Sequence, residues 1–216
     1  MSIRMEVWGD YAAFNRPELK TERVSYEVMT PSAARGIIEA IYWHPSIRWI
    51  IDRIYVCNPI KMTNIRRNEV KSKISHKTVE KVMKGGQKEL YICASDDIQQ
   101  RAALVLQDVH YIIEAHFEMT SKANETDNPG KVQDIIKRRL KKGQCFHTPY
   151  AGVREFPLKF AYFEGNEIQT AYQGERDMGY MLYDLDYQGE NGIEPMFFHA
   201  ILKDGILDLT DCEVLK

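Results

Sequence analysis

From Val109 to Met119 the residues alternate without a break. Val109, Tyr111, Ile113, Ala115, Phe117 and Met119 fall on one side, and His110, Ile112, Glu114, His116 and Glu118 on the other. Successive side chains of a strand point to opposite faces, so this period of two predicts a β-strand with a mostly apolar face turned inward. The same geometry sets His110 and His116 on the outer side about 20 Å apart, too far to share a metal ion. The four cysteines (Cys57, Cys93, Cys145 and Cys212) are dispersed and form no CxxC pair, so reduced thiols are expected and a zinc site is not.

A helix precedes this strand and another follows it. Thr30-Pro31 reads as a helix start, a capping hydroxyl followed by a ring whose missing N–H costs nothing at the first helical position, and Pro45 ends the segment. Ala34, Ile37, Ile38 and Ile41 make its apolar stripe, while Arg35, Glu39 and Tyr42 share a different face. Tyr42 therefore sits near the helix end, off the middle of the stripe, with its hydroxyl turned outward. Either it is a boundary tyrosine with a packed ring and a wet hydroxyl, or it is a working residue. Asn128-Pro129 opens the second helix, which runs to Lys142 and stops at Gly143. Val132, Ile135, Ile136 and Leu140 are its expected buried stripe, and Lys131, Arg138 and Lys142 share a neighbouring face. Lys131 falls in the first turn, where unpaired backbone N–H groups and the helix dipole already favour an anion, so a phosphate site is expected there.

Around these elements, residues 2–8 alternate as a half-buried strand, 9–17 read as a connection, and 24–28 as a short extended piece. Residues 47–60 read as a long strand, 62–67 as its hairpin neighbour, and 68–88 as a polar, Lys-rich excursion containing Gly85-Gly86. A strand at 158–163 and antiparallel strands at 179–184 and 196–202 follow, with Lys203-Asp204-Gly205 as a turn. The order is strand, helix, strand, strand, strand, helix, strand, then a β-rich tail. This is an α+β chain whose first elements match a ferredoxin-like split βαβ arrangement with an insertion. The expected division is residues 1–150 for that domain, with the insertion at 68–100, and 151–216 for the last core strand and a C-terminal antiparallel β extension. RNA-recognition domains use this fold. Their motif beginning Lys/Arg-Gly-Phe/Tyr is absent, so base stacking on the open sheet face is not the expected mode.

Charge separates along the chain, although the net value is only −2. Residues 61–73 carry five basic side chains against Glu69, and 131–142 carry six against Asp134, whereas 164–194 carry eight acids against Arg176. One positive face on a near-neutral total fits a phosphate-chain partner, because local potential is what a polyanion meets. The 44% hydrophobic content of 216 residues suffices for a core, yet no apolar run approaches the ~20 residues of a membrane span. The N-terminus alternates like a strand rather than a signal peptide, so a cytoplasmic protein with no membrane partner is expected.

Several segments together resemble the CRISPR-associated pre-crRNA endoribonucleases of subtype I-C, a family of the RAMP superfamily. They are Trp8-Gly9-Asp10-Tyr11-Ala12 with Arg16-Pro17, Glu22-Arg23-Val24-Ser25-Tyr26, and Tyr42-Trp43 on the opening helix. Further matches are Asn58-Pro59-Ile60, Asn64-Ile65-Arg66-Arg67-Asn68-Glu69, His116-Phe117, Gly130-Lys131, Arg154-Glu155-Phe156-Pro157 and Met181-Leu182-Tyr183-Asp184. The resemblance covers nearly the whole chain. It implies a modified ferredoxin-like (RRM-like) domain with a small antiparallel C-terminal sheet. It also implies an enzyme that binds the CRISPR repeat hairpin, cuts it without metal or other cofactor, and keeps the 5′ handle as a subunit of the type I-C surveillance complex. Tyr42 matches the family's catalytic tyrosine and Lys131 its lysine, while the paired histidine position holds Val132. His116 and His147 are the candidate acid/base groups, and a cation such as Lys131 is expected to lower the Tyr42 pKa. Arg23, Arg66, Arg67, Lys71, Lys73, Arg138 and Lys142 are the candidate RNA contacts. Arg154 is read either as a handle contact or equally as a buried structural arginine paired with Glu155 or Asp184. The rival reading is a non-catalytic subunit that holds the guide handle, with duplex DNA as a further partner.

Overall fold

A computed structural model of the chain describes residues 2–19, 21–87, 89–189 and 192–216. In order it contains β1 (Ser2–Ala12), β2 (Arg23–Val24), α1 (Pro31–Ile41), β3 (Ile47–Val56), β4 (Met62–Val70), α2 (His76–Met83), β5 (Ile98–Met119), α3 (Pro129–Lys142), β6 (Lys159–Tyr162), β7 (Glu175–Gly189), β8 (Gly192–Lys203), β9 (Ile206–Asp208) and β10 (Val214–Leu215). The main path of the sheet runs β10-β8-β9-β3-β5-β1-β6 with antiparallel neighbours. Within it, β6-β1-β5-β3 is the ferredoxin-like core: β1 and β3 run parallel, split by β5, with α1 and α3 as the crossovers.

The alternating stretch is longer than its apolar period announces. β5 has 22 residues; Ile98–Leu106 pairs with β4, and Tyr111–Met119 pairs with β3, while β1 lines its other edge. The expected hairpin of 47–60 with 62–67 is therefore corrected: β4 turns away from β3 and pairs with the first half of β5. Asp108, with φ 55°, sits in the left-handed region where β5 changes partners, and its carbonyl accepts a hydrogen bond from Asn58 Nδ2 at 3.0 Å. Two more expectations are corrected. β1 continues through Gly9-Asp10 to Ala12, and the excursion at 68–88 contains β4's end and α2. α2 buries none of its residues, which is why its polar sequence reads as loop.

Both crossover helices begin as their caps dictate. Thr30 Oγ1 accepts from Ala33 N–H at 3.3 Å, and Asn128 Oδ1 from Gly130 N–H at 2.8 Å. α1 buries Ala34, Ile37, Ile38 and Ile41. Its other side meets β7, where Arg35 forks onto Asp184 at 2.6 and 2.9 Å and the Leu182 N–H donates to the Tyr26 hydroxyl at 3.2 Å. Asp184 thus belongs to Arg35, and Arg154 is exposed with neither of the acids expected for it. α3 buries Val132, Gln133, Ile136 and Leu140, so Gln133 takes the place expected for Ile135, which is half-buried.

Candidate functional site

Both crossover helices bring an end to one patch. α1 stops at Ile41, and Tyr42 caps it, its N–H still donating to the Ile38 carbonyl at 2.9 Å. The Tyr42 carbonyl accepts from the indole Nε1 of the buried Trp49 at 2.9 Å, which fixes the cap against β3. From α3, Arg139 lays its guanidinium over the Tyr42 ring, 5.1 Å from the centroid, and bonds the Ile41 carbonyl. That carbonyl is among those a helix leaves unpaired at its C-terminus, where a cation is favoured. Lys131 is exposed on the first turn of the same helix, three residues after the Asn128 cap.

The electrostatics of Tyr42 depart from the sequence expectation. Burial pushes its pKa above the usual phenol value, Arg139 opposes that, and the carboxylate of Asp127 adds to it. The cation acting on the phenol is Arg139 rather than Lys131, and the balance holds the proton on. Asp127 lies just before the Asn128 cap, so the phenol responds both to the start of α3 and, through Arg139, to its last turns. Val132, which the resemblance sets against the family's histidine, carries no titratable group and is part of the core at 4% exposure.

The histidines divide. His116 lies on the sheet face opposite Phe117 and Trp49, with Nδ1 2.7 Å from Asp52 Oδ1, and is not brought to Tyr42. That outer face pairs its charges internally. Glu114 accepts from Tyr55 at 2.9 Å and Arg4 at 3.3 Å, and His110 meets Glu6 at 2.7 Å. His147 is held beside α1, because its N–H and that of Phe146 donate to the Ala40 carbonyl at 3.2 and 2.9 Å. Its ring stacks on Tyr150 with centroids 6.3 Å apart.

The loop carrying His147 and the free side of α1 enclose a cleft of about 690 Å³. The loop is seated by the Ala13 N–H, which donates to the Ala151 carbonyl at 3.0 Å. Gly152 makes this approach possible: its φ is 80°, and a Cβ there would stand 2.0 Å from the Ala13 carbonyl oxygen.

The proposed RNA contacts form two groups. On the β4–β5 arm, Arg23 pairs with Glu69 at 2.6 Å and Arg67 with Glu155 at 3.0 Å, so each charge is partly offset. Arg66, Lys71 and Lys73 are exposed, with no acid within ion-pair distance among the described residues. Arg138 and Lys142 are exposed on α3. Sequence reasoning missed Arg139, although a signal existed. Arg139 follows Val132 by seven residues, two helical turns, and so shares the buried stripe where a cation needs a partner. Among the described residues, no cluster of three or more His, Cys, Asp or Glu side chains is placed to hold a metal, and no helix is long and apolar enough to cross a membrane.

Comparison with known proteins gives the family and the fold. The Cas5d family model, described as "CRISPR-associated protein (Cas_Cas5)", matches residues 2–210. A protein of Mannheimia succiniciproducens called "CRISPR pre-crRNA endoribonuclease Cas5d" is 52% identical, with 96% of this chain and 94% of the relative covered. Its namesake from Thermus thermophilus is 39% identical over 96% of this chain and 90% of its own. Among solved structures, one described as a CRISPR-associated protein superposes with a TM-score of 0.71 at 22% identity, covering 100% of this chain and 97% of its own, and shows the shared fold.

Proposed function

This chain belongs to the Cas5d family of CRISPR-associated proteins, and on that premise we propose that it is an endoribonuclease that cuts CRISPR precursor RNA. The observation that carries the reading is the meeting of Tyr42 with α3. The phenol closing one crossover helix lies under Arg139 of the other, whose first turn bears Lys131.

Cleavage without metal joins the 2′-oxygen to phosphorus and breaks the bond from phosphorus to the 5′-oxygen, leaving a 2′,3′-cyclic phosphate and a 5′-hydroxyl. The 2′-hydroxyl must lose a proton, the phosphorane needs its charge offset, and the leaving oxygen must gain a proton. Lys131, at a helix N-terminus, offsets the phosphorane charge. Tyr42, with its proton retained, orients the 2′-hydroxyl by hydrogen bonding; an elevated pKa makes it a poor base. Water carries both proton transfers, and the resulting slow rate suits an enzyme that keeps its product. The product's 5′ handle stays bound along Arg66, Lys71 and Lys73, and Arg138 and Lys142 add contacts on α3. In this role the protein is a subunit of the surveillance complex.

The test is single-turnover cleavage of repeat RNA in the presence of a chelator. Tyr42→Phe and Lys131→Ala are each expected to slow cleavage by roughly 100-fold while leaving RNA binding within a few-fold. A 2′-deoxy nucleotide before the cut should stop cleavage altogether. The valine at 132, where the resemblance puts the family's histidine, favours a second reading, a non-catalytic holder of the guide handle, and wild-type protein that binds the repeat without cutting it would establish that reading instead. Competition between repeat RNA and duplex DNA at physiological salt separates both from a general nucleic-acid binder.

A further inference from the structure

The cleft beside α1 has features that the cutting reaction does not use. Its floor is flat and apolar, formed where Ala33, Gly36 and Ala40 follow one another along the helix. Gly36 is the informative member. It stands inside a helix, where glycine is the least favoured residue after proline, and a Cβ built on it would meet nothing within 4 Å. No packing within the chain requires a glycine here, and the bare backbone leaves this side of the helix without a side chain to enter the cleft.

Aromatic groups crowd the wall and rim. Trp43 is 58% exposed and Phe146 84% exposed, and His147 stacks on Tyr150 beside them. Such a cluster left in solvent is a platform for a flat π-system. The polar groups lining the cleft include the hydroxyls of Thr30, Ser32 and Tyr150 and the acceptors of Asn15 and Glu39. Asn15 Oδ1 lies just beneath the cleft surface with no hydrogen-bond partner among the described residues, and Glu39 contributes a carboxylate that also faces Arg35 at 3.9 Å. A buried acceptor left unpaired is costly, so the complementary ligand edge carries N–H donors. Glu39 also turns a phosphate away from the interior, leaving the sugar-phosphate chain outside. Trp43 follows Tyr42 directly, so the cleft opens next to the proposed cutting site.

We propose that this cleft takes one unpaired nucleobase of the RNA, stacked on the Trp43–Phe146 rim and read through its amino-bearing edge by Asn15 and Glu39. The inference rests on the endoribonuclease reading, since it needs the chain to hold repeat RNA. A guanine, with its N1–H and N2 amino donors adjacent, matches the pair of acceptors at Asn15 and Glu39 best.

The test measures equilibrium binding of repeat RNA in which each unpaired nucleotide in turn is made abasic. Gly36→Phe fills the cleft, and Gly36→Ala is the control that leaves it open. In the wild type, one abasic position should weaken binding roughly tenfold, the scale of a lost stack. Gly36→Phe should weaken intact RNA by a similar factor and become indifferent to that same position, whereas Gly36→Ala should behave like the wild type. An unchanged thermal midpoint shows that Gly36→Phe is folded; if it is not, Phe146→Ala removes the exposed ring and should reproduce the loss.

The inference is overturned if no single base matters, or if a folded Gly36→Phe holds intact RNA as well as the wild type does. Loss of association with other complex subunits, with RNA binding intact, would assign the cleft to a protein segment and overturn it too. Failure of the wild type to bind repeat RNA would sink the endoribonuclease reading itself, an outcome visible before any variant is made.

Discussion

At Tyr42 the sequence and the structure agree on position and differ on charge. Helix phase places the residue near the end of α1, off the buried stripe, and the structure finds it half-buried there as the cap. Its protonation state depends on neighbours that no local pattern supplies: burial raises the phenol pKa and Arg139 only partly offsets this. An orienting phenol stays competent while protonated, so cleavage should show no loss attributable to Tyr42 from about pH 6 to about pH 9. Replacing Arg139 by Met removes the group that lowers that pKa and should shift the Tyr42 ionisation further upward. A phenolate absorbance titration, with Tyr42→Phe subtracted, reads this directly. Cleavage should fall in the same variant, because the ring loses a cation–π partner worth about 0.5–2 kcal/mol. An ionisation that moves down instead would mean that Arg139 does not act on the phenol.

The elements were legible where they carry their own boundary chemistry. Thr30-Pro31 and Asn128-Pro129 announce helices, and both threonine and asparagine make the cap hydrogen bonds their side chains allow. Asn128→Ala should therefore cost about 1 kcal/mol in denaturant unfolding. It should also loosen the first turn bearing Lys131 and slow cleavage, whereas Thr30→Ala should cost similar stability with little effect on rate. Gly36→Ala should move the other way and add about 0.5–1 kcal/mol, since the added methyl meets no atom and the helix gains propensity. Where pairing partners had to be chosen, sequence was mute. β4 reads as a hairpin neighbour of the preceding strand, yet it pairs with β5, whose first half, Ile98–Leu106, sets Gln99-Gln100-Arg101 before an unbroken apolar run and so lacks the alternation that marks its second half. α2, with no buried residue, has no core to impress a pattern on it.

Across the molecule, several weak acids are held in their neutral form. Burial raises the pKa of Tyr26, Tyr55, Tyr111 and Tyr183, and pushes the Cys57 thiol to about 11. Groups whose folded pKa exceeds the unfolded value keep more protons in the native state, so their contribution is intact below the unfolded pKa and is lost as pH rises through the folded one. The thermal midpoint should be level through neutral pH, begin to fall above about pH 8.5, where an unfolded cysteine ionises, and fall faster above about pH 10, where unfolded tyrosines do. Cys57→Ala should delay the first part of that fall. A midpoint that rises between those values would contradict the burial of these groups.

What the sequence determined by itself was local and periodic: the two capped helices, the alternating strand, the segregated basic segments, and the tyrosine and lysine at helix ends. These properties depend on neighbours within a few residues, and such neighbours are fixed by covalent order. What the tertiary structure alone decided was which distant groups meet. It set Arg139 rather than Lys131 against the phenol, Asp184 against Arg35, His116 on the far face with Asp52, and Gly152 against Ala13 to frame the cleft. Those pairings follow from the packing of elements that lie tens of residues apart, and no spacing along the chain encodes them.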